Sequence, residues 1–315
     1  MEYRTLGRTG LRVSALSLGT VELGVDYGIA APGAFGRPDR RQVQAILERA
    51  RQAGINLFDT APAYGDSERL LGEVLGGDES CLIATKVSLP RDDSGVGRRG
   101  AALRQAVAAS LERSSQALRR KTLDIVQIHN ATLDIIKDGQ LIGALLEAKN
   151  EGRVRFLGAS VYTEAEALAV IQTGSLDVLQ VAYNLLDQRM ASRVFETAQR
   201  AGVGLLVRSA LLKGALTDKA AWLPAQLDEL RQAAARARDR LADGNWSKLP
   251  EVAVRFCLSA RPVATVLVGA RSLDELEQAL LAERAGSLSP DQLQIAHALA
   301  LTDDFLLNPS HWPVA

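Results

Sequence analysis

Four residues in the first half of the chain have side chains suited to proton transfer. Asp59, Lys86 and His129 each close a short, mainly apolar run. Tyr64 lies five residues after Asp59, in a tight loop containing proline and glycine. A carboxylate, an amine, an imidazole and a phenol can together deliver a proton to a bound substrate or remove one from it. We therefore take these four as candidate catalytic residues.

Apolar and amphipathic segments alternate along the rest of the chain. The apolar segments predict strands at 15–20, 55–58, 81–87, 125–129, 155–161, 178–183, 204–209 and 264–269. Amphipathic segments predict helices at 66–76, 98–119, 138–151, 163–173, 190–201 and 272–285, and a broken helix over 224–260. Eight strand and helix units in strict alternation favour α/β architecture of the closed (β/α)8 type, a TIM barrel, over an open sheet.

Helix caps and the two ends of the chain complete the predicted fold. Capping boxes are expected for the pairs Asp39 and Gln42, Thr163 and Glu166, Ser272 and Glu275, and Ser289 and Gln292. Residues 3–14 predict a β-hairpin before the barrel. An extra helix after Ser289 and a tail over 303–315 are expected to follow it, with the tail lying across the barrel. We predict a single domain over residues 1–315.

The barrel would bring the four candidate residues together. Carboxyl ends of neighbouring strands meet at one face of a barrel, and Asp59, Lys86 and His129 end the second, third and fourth predicted strands. Taken singly, an aspartate can cap a turn, a lysine can extend to solvent and a histidine can serve packing. Placement of all of them at one mouth favours a catalytic site. Gly19 and Gly24 lack the spacing of a Rossmann dinucleotide motif.

The composition argues against several classes of partner. Lys+Arg and Asp+Glu number 37 each, so no excess positive charge would attract nucleic acid. No apolar run approaches the length of a membrane span and the first residues are charged, so we expect a cytoplasmic protein without a membrane anchor. Cys81 and Cys257 lie in apolar runs and are expected to be buried free thiols. The histidines lack metal-ligand spacing, and no metal site is predicted.

The set Asp59, Tyr64, Lys86 and His129 resembles the catalytic tetrad of the aldo-keto reductases, a barrel superfamily that uses a nicotinamide cofactor. The phrase Asp-Thr-Ala-Pro-Ala-Tyr-Gly that begins at Asp59 carries the strongest likeness. The resemblance runs nearly end to end, since the opening Tyr-Arg-Thr-Leu-Gly-Arg-Thr-Gly, Leu-Gly-Thr, Gly-Ala-Ser, Gln-Val-Ala-Tyr-Asn, Arg-Ser and Val-Gly-Ala-Arg-Ser segments follow in family order. The chain is similar to a bacterial branch of NAD(P)-dependent members.

The resemblance implies a role for each member of the tetrad. Tyr64 would be the general acid that protonates a carbonyl oxygen as hydride reaches its carbon. A phenol with a pKa of about 10 is a poor acid at neutral pH. Lys86 is therefore expected to lower that pKa, while Asp59 keeps Lys86 charged and in place. His129 would donate a hydrogen bond to the carbonyl oxygen and orient it.

The resemblance also implies a cofactor site. Ser160 and Gln180 match side chains that hold the nicotinamide carboxamide, and Arg208 takes a position where many members stack an aromatic ring on the nicotinamide. The following loop would border the pyrophosphate, and a helix amino terminus would accept the adenosine end. The implied cofactor-binding set is Gly19, Thr20, Asp59, Ser160, Gln180, Arg208, Ser209, Leu211, Gly214, Gly269, Arg271, Ser272 and Gln278.

The sequence departs from the family pattern at the adenosine end. Glu275 stands where many NADPH-using members carry a basic residue, and Gln278-Ala279 stands where many carry Glu-Asn. Arg271 is left as the evident phosphate partner. Family habit therefore favours NADPH, and NADH is the alternative.

The substrate is expected to be a small carbonyl compound or alcohol. Its pocket should be built from the loops at 21–38 and 130–137, with Trp222, Phe305 and Trp312 as further candidates. Aromatic residues make up only 4% of the chain, so a polar or sugar-derived carbonyl is favoured over a steroid-like one.

Two other functions are consistent with the sequence. Lys86 could act as the nucleophile of a Schiff-base lyase, similar to an aldolase. The chain could also bind cofactor as a regulatory subunit without physiological turnover. The sequence leaves the oligomeric state open.

Overall fold

A short antiparallel hairpin precedes the main fold. The computed structural model describes residues 1–33 and 35–313, and the hairpin strands are β1 (Tyr3–Thr5) and β2 (Arg12–Ser14). Leu6 and Val13 from this segment are fully buried in a cluster that includes the first residues of several barrel strands. A Cβ on Gly7 would lie 2.4 Å from the backbone nitrogen of Gly204, so only glycine permits this close approach. The hairpin thus closes the amino-terminal end of the barrel.

Eight parallel strands form a closed barrel, which confirms the predicted fold class. They are β3 (Leu16–Gly19), β4 (Leu57–Asp59), β5 (Leu82–Val87), β6 (Leu123–Ile128), β7 (Val154–Ser160), β8 (Val178–Ala182), β9 (Gly204–Arg208) and β10 (Val263–Gly269). Each barrel strand pairs with the next along the chain, and β10 pairs with β3 to close the ring. The strands are buried on both faces, which explains why their sequences are apolar runs and not alternating patterns.

The strand ends place the candidate residues at one mouth. Asp59 is the last residue of β4 and pairs in register with Gly19 of β3 and Ala84 of β5. Lys86 is one residue before the end of β5, opposite Gln127 of β6. The predicted strand at 125–129 was wrong at its end, because β6 stops at Ile128 and His129 lies just beyond it.

Helices surround the barrel. They are α1 (Val21–Gly24), α2 (Arg40–Gln52), α3 (Ser67–Leu75), α4 (Gly100–Leu118), α5 (Leu133–Asp138), α6 (Gln140–Asn150), α7 (Glu164–Gln172), α8 (Val194–Arg200), α9 (Asp228–Leu241), α10 (Leu249–Ser259), α11 (Leu273–Ala285), α12 (Pro290–His297) and α13 (Asp304–Leu307). The predicted broken helix is α9 followed by α10. The sequence did not predict α1 or α5, because helices of four and six residues are too short to show a periodic pattern.

Three of the four predicted capping boxes are present, at the starts of α2, α7 and α12. The fourth, at α11, was wrong. Ser272 caps the helix by accepting from the Glu275 backbone N–H, but the Glu275 carboxylate accepts from the backbone N–H of Arg271, one residue earlier than a capping box requires. The Arg271 guanidinium also donates to Glu275, which draws the carboxylate to that side.

The tail packs against the loop that follows β8. Asp304 forms an ion pair with Arg189, and the Trp312 indole donates to the backbone carbonyls of Phe305 and Leu306. Residues 314 and 315 of the predicted tail lie outside the described residues. Cys81 and Cys257 are both buried free thiols, as predicted. Within the described ranges, none of the helices has the length and apolar character needed to cross a membrane.

Candidate active site

A buried ion pair lies at the centre of the site. The Lys86 amine donates to Asp59 Oδ2 at 2.6 Å and to the backbone carbonyl of Thr60 at 2.9 Å, and both side chains of the pair are almost fully buried. Asp59 Oδ1 accepts from the side-chain amides of Gln127 at 3.1 Å and Gln180 at 2.8 Å. Each charge therefore has hydrogen-bond partners, which a buried pair needs in order to persist.

Tyr64 is held beside this pair by two glycines. A Cβ on Gly24 would lie 1.8 Å from the Tyr64 carbonyl oxygen, and Gly65 has a φ of +55°. The end of α1 can therefore pack directly against the Tyr64 loop only because both positions lack a side chain. The Lys86 amine lies 4.8 Å from the centroid of the Tyr64 ring. His129 meets the same ring edge to face, with the ring centroids 5.8 Å apart.

Burial and charge set the protonation of these groups. Burial raises the pKa of Tyr64 and outweighs the opposing effect of the Lys86 cation, which acts to lower this pKa as expected. Burial acts to lower the pKa of Lys86, but Asp59 and Tyr64 more than compensate and raise it, so the amine stays protonated. Burial, assisted by Lys86, lowers the pKa of His129 to about 4, so its imidazole is neutral at pH 7.

An elongated cavity of about 580 Å³ opens over the tetrad at the carboxyl ends of the strands. Asp59, Tyr64 and His129 line one end, and Lys86 lies behind them. The opposite end is formed by residues of α10, α11 and the loop before α10: Trp246, Ser247, Pro250, Val254, Glu275, Gln278 and Ala279. The cavity therefore extends from the tetrad to the last two helices of the barrel.

Most of the predicted cofactor residues border this cavity. They are Gly19, Thr20, Asp59, Ser160, Gln180, Arg208, Ser209, Leu211, Gly214, Gly269 and Gln278. Arg271 and Ser272 do not belong to the described lining, since Arg271 bonds Glu275 and Ser272 caps α11. Thr20 is also a structural residue, because its hydroxyl donates to the Asp59 carbonyl.

Two polar side chains at the tetrad end have hydrogen-bonding capacity directed into the cavity. Ser160 is buried, and within the described residues its hydroxyl has no hydrogen-bond partner. Gln180 donates through its amide nitrogen to Asp59 and Gln127, and its amide oxygen has no donor in the same ranges. A hydroxyl and an amide oxygen side by side match the donors and acceptors of a carboxamide group. The residues present thus fit a nicotinamide ring.

Arg208 adopts an arrangement that the sequence did not predict. Its guanidinium stacks on the Tyr162 ring, 4.4 Å from the centroid, and donates to the Val161 carbonyl. The next residue, Ser209, has a φ of +61°. Tyr162 thus supports the guanidinium from the side wall of the cavity.

Several lining residues were missed by sequence reasoning. They are Tyr162, Lys213 and Trp246, whereas Glu22 and Tyr27 belong to the loop at 21–38 that was predicted to build the pocket. All of them lie outside the regular strands, in loops or at the short helix α1, where no periodic pattern marks the direction of a side chain. Trp222, Phe305 and Trp312 were wrong as pocket candidates, because none is part of the described lining. Trp222 and Phe305 are exposed, and Trp312 is buried within the tail, where its indole donates to the Leu306 carbonyl.

The sequence over residues 15–300 matches the model of the Aldo/keto reductase family. The chain belongs to this family. Aldo-keto reductases are oxidoreductases that use nicotinamide cofactors. This agrees with the position of Ser160 and Gln180 beside the tetrad, where their side chains can bond a carboxamide.

Known proteins resemble the chain over two thirds or more of its length. L-galactose dehydrogenase of Arabidopsis thaliana is 29% identical, covering 96% of this chain and 95% of that protein. The NADH-specific methylglyoxal reductase of Escherichia coli strain K12 is 31% identical, covering 69% of each chain. The holo form of aldo-keto reductase AKR11C1 from Bacillus halodurans superposes with a TM-score of 0.78 at 27% identity, covering 99% of both chains.

Proposed function

We propose that this protein reduces an aldehyde or ketone to an alcohol with NAD(P)H, and catalyses the reverse oxidation when alcohol and oxidised cofactor are supplied. The observation that carries the proposal is the position of Tyr64, which lines the cavity between the buried Lys86–Asp59 pair and the neutral His129. The polar pair of Ser160 and Gln180 at the same end supports binding of the nicotinamide there.

The proposed reaction divides the work between cofactor and protein. The bound nicotinamide supplies the hydride that reaches the carbonyl carbon. Tyr64 donates its phenolic proton to the carbonyl oxygen, which completes the alcohol. Lys86 stabilises the phenolate that remains, because its ammonium group is held at the ring by Asp59. His129, neutral at pH 7, donates a hydrogen bond that orients the carbonyl oxygen without competing as an acid.

The cofactor would span the cavity from end to end. Ser160, Gln180 and Arg208 would hold the nicotinamide, while Leu211 and Gly214 would border the diphosphate. Lys213 lines the cavity between them and makes no ion pair within the described residues, and its amine lies 5.4 Å from the Tyr27 ring centroid. It would therefore supply a positive charge to the diphosphate. Gly269, Arg271, Ser272 and Gln278 remain proposals for the adenosine half.

The substrate would be a small polar carbonyl compound. Tyr27, His129, Asn130 and Tyr162 border the tetrad end and present hydroxyl, imidazole and amide groups. The relatives that are named for L-galactose and for methylglyoxal act on polar carbonyl or sugar substrates of this kind. A polar pocket and such relatives both support a sugar-derived or similarly small substrate.

The Schiff-base alternative is disfavoured by the state of Lys86. A lysine nucleophile must be neutral, whereas this amine donates to Asp59 and Thr60 and has a raised pKa. Borohydride treatment in the presence of an aldehyde should therefore leave no adduct on Lys86. A covalent adduct at that residue would replace the reductase proposal with a lyase.

Cofactor binding and turnover together test the proposal. The purified protein is titrated with NADPH and with NADH, following quenching of tryptophan fluorescence, and is then assayed against a panel of small aldehydes. Binding of either nucleotide with turnover, and loss of turnover in Tyr64→Phe with binding retained, are expected. Binding without turnover of any carbonyl would favour a regulatory subunit, and absence of binding would contradict the proposal.

A further inference from the structure

Glu22 places a carboxylate on the wall of the cofactor cavity. It is the second residue of α1, directly after the end of β3, and it lines the cavity. A Cβ on Gly269 would lie 2.8 Å from the Glu22 carboxyl carbon, so the glycine at the end of β10 leaves the room that this side chain occupies. Glu22 therefore faces the part of the cavity next to α11.

Among the residues that the structure describes, no donor satisfies the Glu22 carboxylate. In the described part of the chain, neither oxygen of Glu22 accepts a hydrogen bond or joins an ion pair, in contrast to the fully bonded Asp59. The charged groups that act on it are Glu275, Arg271 and Lys219, and the Tyr27 hydroxyl is the further titratable group nearby. Burial and the neighbouring Glu275 raise the pKa of Glu22 to about 7.

The two cations near Glu22 are already engaged with another carboxylate. Glu275 accepts from the Arg271 guanidinium at 3.0 Å and from the Lys219 amine at 3.3 Å. It also accepts from the Arg271 backbone N–H at 2.8 Å. This end of the cavity therefore holds two carboxylates, and the hydrogen bonds described for its two cations go to Glu275, while both cations also act on Glu22 through space.

The neighbours of Glu22 indicate which half of the cofactor it meets, because it lies beside Gly269 at the end of β10 and is acted on by Glu275 of α11. The nicotinamide must reach Tyr64, so the adenosine half must extend toward α10 and α11 at the other end of the same cavity. The adenosine ribose carries two hydroxyl groups in NADH and a 2′-phosphate in NADPH. Hydroxyls donate to a carboxylate, whereas a phosphate offers no donor when ionised and is repelled.

We propose that Glu22 selects NADH over NADPH, its carboxylate accepting a hydrogen bond from the adenosine ribose and, together with Glu275, repelling a 2′-phosphate. The inference rests on the proposed function and concerns the cofactor form that the same site takes. An acidic residue that bonds the ribose 2′-hydroxyl of NAD is a general solution to this selection in other dinucleotide sites. Here the acid would come from the helix after the first barrel strand.

Direct binding measurements test the selection without any need for turnover. Dissociation constants for NADH and NADPH are measured by calorimetry at about pH 8, where both Glu22 and the 2′-phosphate are ionised. The unmodified protein should bind NADH more tightly. Glu22→Gln should tighten NADPH binding about tenfold by removing one repulsive charge, and weaken NADH binding severalfold by removing a charged acceptor.

A matched control removes the same charge from the same region. Glu277→Gln lies on α11, but its side chain pairs with Arg49 of α2 and is absent from the described lining of the cavity. This variant should leave both dissociation constants unchanged. Equal changes for both nucleotides in Glu22→Gln, or the same change in Glu277→Gln, would overturn the inference.

The pH dependence gives an independent signature. In the unmodified protein, the preference for NADH over NADPH should grow between about pH 6 and pH 8 as Glu22 ionises. In Glu22→Gln, only the part of this pH dependence that comes from titration of the 2′-phosphate should remain. Identical pH profiles in the two proteins would contradict the proposal. Tighter binding of NADPH than NADH by the unmodified protein would overturn the selection but leave the proposed function intact, whereas failure of both nucleotides to bind would overturn both.

Discussion

The two ends of the cavity differ in how their carboxylates are satisfied. At the tetrad end, Asp59 accepts hydrogen bonds from Lys86, Gln127 and Gln180, so its charge is fully compensated before any ligand arrives. At the α11 end, Glu22 has no donor within the described residues and stands near a second carboxylate. One end is preorganised by the protein itself, and the other has an acceptor that a ligand can satisfy.

The difference indicates where specificity would reside. A buried, fully bonded pair resists change because loss of one partner leaves an uncompensated charge. An unsatisfied acceptor on a cavity wall instead contributes only when a donor of the right kind is bound. We infer that the tetrad end sets the chemistry, while the α11 end sets the choice of cofactor.

The largest expected effect comes from breaking the buried pair. Lys86→Met should abolish aldehyde reduction and destabilise the fold by about 3–5 kcal/mol, because Asp59 is left buried without its cation. Urea denaturation measures the second effect. The double variant Asp59→Asn with Lys86→Met should recover much of the stability without recovering turnover. Equal stability of the single and double variants would show that the pair is not the source of the loss.

Gly24→Ala should disturb the tetrad end without touching any of its side chains. The added Cβ would meet the Tyr64 carbonyl at 1.8 Å, so the loop that carries Tyr64 must move. We expect turnover to fall about a hundredfold, a size typical of a displaced catalytic group, with cofactor binding largely retained. Gly77→Ala is the matched control, since a Cβ there has no neighbour within 4 Å among the described residues. A Gly24→Ala enzyme of normal activity would show that the close approach is not needed.

His129 should make the stability of the folded protein depend on pH. The unfolded chain takes up a proton at histidine as the pH falls through about 6.5, whereas the folded site stays neutral down to a pKa of about 4. Stability should therefore fall in this window, by about 1–2 kcal/mol between pH 7 and pH 5. His129→Gln should lose this component in urea titrations at both pH values, while His311→Gln at the exposed tail should keep it.

The smallest effect is expected at the far end of the cavity. Trp246 lines the cavity, and its ring centroid lies 4.8 Å from the Arg238 guanidinium. Trp246→Phe should therefore weaken nucleotide binding only a fewfold, since an aromatic face remains. It should also remove most of the tryptophan quenching caused by the nucleotide. Undiminished quenching would show that Trp222 or Trp312 reports binding, and that the nucleotide does not reach Trp246.

The sequence predicted well the site residues that lie at the ends of strands. Apolar runs ending in Asp59 and Lys86 identify barrel strands, and parallel pairing then requires their ends to meet at one mouth. Residues outside the strands were harder to assign, because no period specifies the direction of the side chains of Glu22, Tyr162 or Trp246. Glu275 shows a third case: its spacing from Ser272 fits a capping box, but competition from the Arg271 N–H and guanidinium draws the carboxylate elsewhere.

Transfer of deuterium from cofactor to product tests whether this protein moves hydride to a carbonyl with Tyr64 as the acid. The protein is mixed with an aldehyde and with NADH or NADPH carrying deuterium at the transferable position, and the alcohol is analysed by mass spectrometry. We expect one deuterium at the carbinol carbon with the unmodified protein, and no alcohol with Tyr64→Phe even though this variant still binds the nucleotide. Alcohol formed without deuterium would show that the hydride does not come from the cofactor, and alcohol formed equally well by Tyr64→Phe would show that Tyr64 is not the acid.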